Sequence, residues 1–174
     1  MMTDTTRTVH RIAGTQPISK DCLVCGTDNA LGIGARFYET SEGELLARFT
    51  LQNHHQSYPG LAHGGISAAI LDETIGRAIM INHDQTTFGL TAELQVRYRK
   101  PVPLGVELTV VGRIDKDQGR LFAGSGELYL PDGSVAVEAQ GRFVKRRIDQ
   151  ITDSDFTQTA WQLPDDPTPD TLTI

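Results

Sequence analysis

Two adjacent carboxylates, Asp72 and Glu73, interrupt the most apolar stretch of the chain, and His63-Gly64-Gly65 stands seven to nine residues before the first of them. A buried carboxylate acts as a general base or a nucleophile, because desolvation and neighbouring groups tune its proton affinity. Backbone N–H groups at a helix start lack intrahelical partners, and the helix dipole favours negative charge there. Two glycines at that point let a carbonyl approach the backbone without interference from Cβ, which is the requirement of an oxyanion hole. Together these residues offer an electrophile stabiliser and a base beside one buried cleft.

The element that must position them runs from His63 to Asn82. It contains no Pro, and Ile66, Ala68, Ala69, Ile70, Leu71, Ile75, Ala78, Ile79, Met80 and Ile81 make it apolar almost all round. The spacing predicts one helix of about 28 Å, which a sheet must enclose. Glu73 and Arg77 are four residues apart, and the expectation is a solvent-facing or interface ion pair of a few tenths of a kcal/mol. Asp72 points about 100° away, with Ala68, Ala69, Ile75 and Gly76 as neighbours, where nothing offsets the desolvation of a charge. Gly76 inside a helix signals close approach by another segment or a ligand.

Strand-like runs flank this helix. Leu31–Glu39 and Glu44–Leu51, joined by Ser41-Glu42-Gly43, predict a hairpin, and Phe88–Tyr98, Val106–Asp115, Leu121–Leu130 and Val135–Val144 predict four further strands. Pro101-Val102-Pro103-Leu104-Gly105, Asp117-Gln118-Gly119 and Pro131-Asp132-Gly133 supply the turns. Thr91–Arg99 alternates apolar and polar residues, as a strand with one wetter face does. The fold class expected is α+β, an antiparallel sheet of five to six strands wrapped around one long central helix.

The 174 residues suit one domain, divided here into a polar leader (1–20), a core (21–147) and an acidic tail (148–174), with the chemistry assigned to the core alone. The formal charge is −6, and the six Asp of the tail account for all of it, so the rest is formally neutral. That balance disfavours nucleic-acid binding. No apolar run reaches the roughly 18–20 residues of a membrane helix, no signal-peptide core is present at the start, and a cytoplasmic location is expected. Cys22 and Cys25 form one CxxC. Zinc takes about four ligands, so a reduced structural pair is the expectation over a redox or metal role.

Tyr58-Pro59-Gly60-Leu61-Ala62-His63-Gly64-Gly65-Ile66, followed by Leu71-Asp72-Glu73, resembles the signature of hot-dog-fold acyl-CoA thioesterases of the phenylacetate-degradation (PaaI-like) type. Cys22-Leu23-Val24-Cys25-Gly26 with Asn29-Ala30-Leu31-Gly32, and Leu90–Leu94 with Tyr98–Gly105, resemble that family in the same order. The likeness covers roughly residues 22–145. It implies hydrolysis of an acyl-CoA to free acid and CoA. Asp72 would be the catalytic carboxylate, Gly64 the oxyanion donor assisted by Gly65, and His63 would shape the loop or touch the thioester. Thr91 would help position the attacking water, often across a subunit boundary. Many relatives place Asn or Gln six residues before the motif histidine, where this chain has Ser57, so Asn53 and Gln56 are the nearby candidates to polarise water or carbonyl.

A thioester needs little activation, so this set suffices without a Ser-His-Asp triad, metal or cofactor, coenzyme A being part of the substrate. His54 and His55 are expected to be structural. Arg97, Arg99 and Lys100, or Arg142, Lys145, Arg146 and Arg147, are candidates for the phosphates of coenzyme A. Exposed sheet edges predict a homodimer or dimer of dimers with interfacial sites. Two alternatives stand beside hydrolysis: an acyl-thioester dehydratase or hydratase, suggested by His55 and Pro59-Gly60 but lacking a Glu at position 69, and a non-catalytic acyl-CoA-binding homo-oligomer.

Overall fold

A computed structural model describes residues 8–153 and 155–174; the first seven residues of the expected leader lie outside them. The strands are β1 (Val9–Thr15), β2 (Ile18–Ser19), β3 (Arg36–Thr40), β4 (Leu45–Thr50), β5 (Thr87–Tyr98), β6 (Glu107–Gln118), β7 (Leu121–Tyr129), β8 (Val135–Arg147), β9 (Trp161–Gln162) and β10 (Thr171–Thr173). The helices are α1 (Gly64–Arg77), α2 (Ile79–Asn82) and α3 (Phe156–Thr159), with 3₁₀ turns at Asn53–His55 and Ile148–Gln150. One eight-stranded antiparallel sheet runs in the order β10-β1-β3-β4-β6-β7-β8-β5, and β2 pairs with β9 apart from it.

The sheet wraps α1, as its apolar pattern demands. Ile70, Leu71, Ile75 and Ile79 are fully enclosed against Phe37, Leu45, Leu108, Leu128 and Phe143. The helix lies so close to β7 that a Cβ at Gly124 would stand 2.7 Å from Ile75 Cγ2. At Gly76 the close approach expected from sequence comes from the Phe143 ring and the Gly89 carbonyl. One flank of α1 is less covered: Ile66, Ala68 and Ala69 in its first half, and Asp72 beyond them, are only half-buried.

Three expectations are corrected. The sheet has eight strands because parts of the leader and tail join it: β1 pairs with β3, and β10 pairs with β1. β10 has only three residues and β1 mixes His and Arg with its apolar positions, so neither stands out in the sequence, and each is held by a neighbour's ladder. The run from Leu31 enters the sheet only at Arg36, because the Ile33 and Ala35 N–H groups bond to Leu23 and Val24 carbonyls of the CxxC loop. The helix breaks at Ala78, whose N–H is shared between the Thr74 and Ile75 carbonyls, and resumes as α2. Among the described residues, no helix is long and apolar enough to cross a membrane.

Candidate active site

Asp72 sits on the flank of α1 that faces the start of β5. Its carboxylate accepts a hydrogen bond from Thr91 Oγ1 at 2.7 Å. The β5–β8 register slips between Thr91 and Glu93, leaving Ala92 as a bulge beside the residue that bonds Asp72; such bulges re-aim a side chain. Burial raises the Asp72 carboxyl above the ordinary aspartate range, the Thr91 bond opposes this, and neighbouring Glu73 adds to it. A carboxylate so placed is a stronger proton acceptor than one in water. It borders a cleft of about 220 Å³ that also includes Cys22, Glu73, Phe88, Thr91, Phe156 and Trp161.

The aromatic wall of this cleft was not foreseen. Phe88, Phe156 and Trp161 form an edge-to-face and tilted cluster with centroids 5.2–6.2 Å apart. Two of the three come from the tail, which sequence reading excluded from the chemistry. The lone Trp of the chain, set in an otherwise polar segment, was the one available signal.

His63 is the N-cap of α1, its Nδ1 accepting the Gly65 N–H at 2.9 Å. Gly65 is therefore occupied by the cap. Among the described residues the Gly64 N–H has no partner, while the Gly64 carbonyl accepts from Tyr98 Oη at 2.8 Å. Gly64 borders a second depression with Tyr98, Arg99 and Lys100. Gly64 and Asp72 are eight residues apart, about 12 Å along the helix. The expectation that both serve one cleft thus fails within a single copy: they line separate depressions at opposite ends of β5.

The remaining candidates divide. His55 is buried, with Nδ1 accepting the Gln52 N–H at 3.0 Å and Nε2 bonding the Leu31 carbonyl at 3.1 Å, and burial lowers its proton affinity. It is a structural, neutral histidine, and His54 packs edge-on against it. Asn53 opens the 3₁₀ turn and is exposed. Gln56 Oε1 is bound to the Gly60 N–H at 3.0 Å, and the Ser57 N–H to the Leu61 carbonyl. Arg99 makes a bidentate pair with Glu138 at 2.6 and 2.8 Å. Arg142, Lys145 and Arg147 pair with Glu93, Asp117 and Asp149, and Arg146 bonds the Lys145 carbonyl. Among the described residues, Arg97 and Lys100 have no carboxylate within 4.0 Å.

The Glu73–Arg77 pair is not the solvent-facing contact expected. Arg77 is 5% exposed, packed between the rings of Phe37 and Trp161 at 4.4 and 4.7 Å, and bonds Glu73 at 2.7 Å, the Pro17 carbonyl at 2.8 Å and Cys25 Sγ at 3.1 Å. It joins leader, CxxC loop, helix and tail at one point. Cys22 and Cys25 are free thiols. The hydrogen bond between them brings Cys22 down to about 7 and, with burial, pushes Cys25 up.

A long helix cradled by an antiparallel sheet, with a carboxylate on its flank and a bare glycine N–H at its tip, defines a hot-dog protein. Residues 59–137 match the family model of the thioesterase superfamily. Acyl-coenzyme A thioesterase THEM4 of Xenopus laevis is 29% identical over 145 residues, covering 79% of this chain and 64% of that protein. A solved structure described as a thioesterase superfamily protein shares 34% identity with a TM-score of 0.67, over 73% of this chain and 61% of that one. The PaaI protein of the E. coli phenylacetic acid degradation operon has the same fold at 14% identity, with a TM-score of 0.59 over 66% of this chain and 80% of that one. The chain thus spans less than two thirds of the length of the first two.

Proposed function

We propose that this protein hydrolyses the thioester bond of an acyl-CoA to the free acid and CoA. The observation that carries the reading is the pairing of a desolvated, Thr91-held Asp72 with an unpartnered Gly64 N–H on the same helix. Asp72 would deprotonate a water attacking the thioester carbonyl, or attack it directly. Gly64 would receive the developing oxyanion, a contribution of about 2.7–4 kcal/mol where one such donor has been removed. His63 acts as the cap that orients this donor, and Gly65 through that cap. The thioesterase activity for which the relatives are named supports the same reading. The step calls on no cofactor, since coenzyme A belongs to the substrate.

The functional unit in this reading is a homodimer, or a dimer of such dimers. Among the described residues, β5 is a twelve-residue sheet edge without a partner on one side, and such an edge invites pairing. Antiparallel pairing of two β5 edges about a two-fold axis at Leu94–Gln95 would set Thr91 of one copy opposite Tyr98 of the other. Asp72 adjoins Thr91 and Gly64 adjoins Tyr98, so each carboxylate would meet the other copy's oxyanion donor. Lys100 and Arg97, without an ion pair among the described residues, would then receive substrate phosphates, with Arg99 released from Glu138 for the same task. Asn53 and Gln56 sit in the loop before α1, near the Gly64 end. Free thiols and an acyl-CoA substrate go with a cytoplasmic location.

Thiol release from short, long and aryl acyl-CoAs tests the proposal. Wild type should release free CoA thiol, and Asp72→Asn should abolish release with its circular dichroism unchanged. Hydration without thiol release, or binding without turnover, would overturn it.

A further inference from the structure

Four N–H donors converge on two sulfurs beside α1. Cys22 Sγ accepts from the backbone of Val24 at 3.3 Å and Cys25 at 3.4 Å, and Cys25 Sγ accepts from the Ser19 backbone at 3.4 Å and Arg77 Nη2 at 3.1 Å. A neutral thiol is a weak acceptor, whereas N–H groups aimed at sulfur stabilise thiolates. The loop that delivers them is sterically committed: a Cβ at Gly26 would stand 2.4 Å from both the Lys20 and Cys22 carbonyls. Glu73 brings an oxygen to the same place, and its ligand atom and the two sulfurs all lie within 4.8 Å of one another.

We infer that Cys22, Cys25 and Glu73 form a site for a divalent metal ion of the zinc class. Binding would release the proton that burial and its neighbour leave on Cys25; with both sulfurs then thiolates, Glu73 ionised and Arg77 cationic, the ligand set carries a net −2, which a divalent ion cancels inside a largely buried setting. Arg77 does not block the ion, because it engages one oxygen of Glu73 and leaves the other, and it serves Cys25 as an outer-shell donor of the kind that orients metal ligands. Zinc bound by sulfur at about 2.3 Å holds its ligands roughly 3.7 Å apart in a tetrahedron, so shifts of under about 1 Å close the site. Two thiolates and one carboxylate suit zinc over the harder magnesium or calcium. Water from the adjoining cleft would fill the fourth position. The ion would tie residues 19–26 to α1 beside Asp72 and takes no part in the hydrolytic step.

The test uses the full chain, expressed with added zinc and purified under reducing conditions without chelator. Elemental analysis should find about one zinc per chain, and a Cys22→Ser, Cys25→Ser double variant should hold almost none. Metal-stripped wild type titrated with Co²⁺ should develop the sulfur-to-cobalt charge-transfer absorption that the double variant lacks. Should the double variant not fold, Glu73→Gln keeps both thiols and should retain that band while binding Co²⁺ about tenfold or more weakly. Co²⁺ binding without the band, or Glu73→Gln binding as tightly as wild type, overturns the inference. So does thiol alkylation that proceeds equally fast with and without Zn²⁺.

Discussion

At the scale of single residues, the Asp72–Thr91 pair would, in the proposed mechanism, control when the carboxylate is available as a base. Burial holds the Asp72 carboxyl above its ordinary range and the Thr91 hydroxyl pulls it back. In the proposed mechanism the ionised form does the work, so turnover should fall as pH drops through this raised value. Thr91→Ala removes the opposing bond, so the acidic limb of the rate profile should move to higher pH. A hydrogen bond to a charged group contributes about 1.5–3 kcal/mol, so the rate at neutral pH should fall on the order of 10-fold or more. An acidic limb that stays in place would remove Thr91 from the mechanism. Linkage gives a second sign: a carboxyl raised in the folded state favours folding below its unfolded pKa and loses that contribution as pH rises through the folded value. Asp72 is thus retained against stability, which suits a catalytic role.

At the scale of elements, α1 is held to its surroundings by Arg77 more than by any surface pair. The guanidinium bonds Glu73, Cys25 and Pro17 between two aromatic rings, away from solvent. Removing one partner of a buried charge network costs about 3–5 kcal/mol, an order above the few tenths expected of an exposed i,i+4 pair. Arg77→Ala should therefore lower the unfolding free energy in urea by about 3–5 kcal/mol. A loss under about 1 kcal/mol would mean that the pair behaves as an exposed one. Spacing alone found Glu73 and Arg77 as partners, but their burial follows from Phe37 and Trp161, which lie 40 and 84 positions from Arg77.

At the scale of the whole molecule, Gly64 and Asp72 stand about 12 Å apart along α1, and the proposed site draws one of them from each of two copies. If each site takes Asp72 from one copy and Gly64 from the other, Asp72→Asn and Gly64→Val are each inactive alone. Co-refolded in equal amounts they should recover about a quarter of wild-type activity, because half the dimers are mixed and each mixed dimer has one intact site. Absence of recovery from refolded, dimeric mixtures would confine the site to one copy.

The sequence by itself determined the central helix and the order of the main strands, and it singled out Asp72 and Gly64 on α1 as candidates. These rest on local matters: hydrophobic periodicity, turn residues, and a carboxylate eight positions from a glycine at a helix start. His55 was also legible as structural, since a loop histidine commonly finds backbone partners, here Gln52 and the more distant Leu31. Tertiary structure alone decided that β1 and β10 complete the sheet, that Phe156 and Trp161 wall the Asp72 cleft, and that the two halves of the motif open into different depressions. The physical reason is range. Propensity and spacing act over a few residues, whereas edge pairing, aromatic docking and the burial of Arg77 depend on segments brought together from opposite ends of the chain.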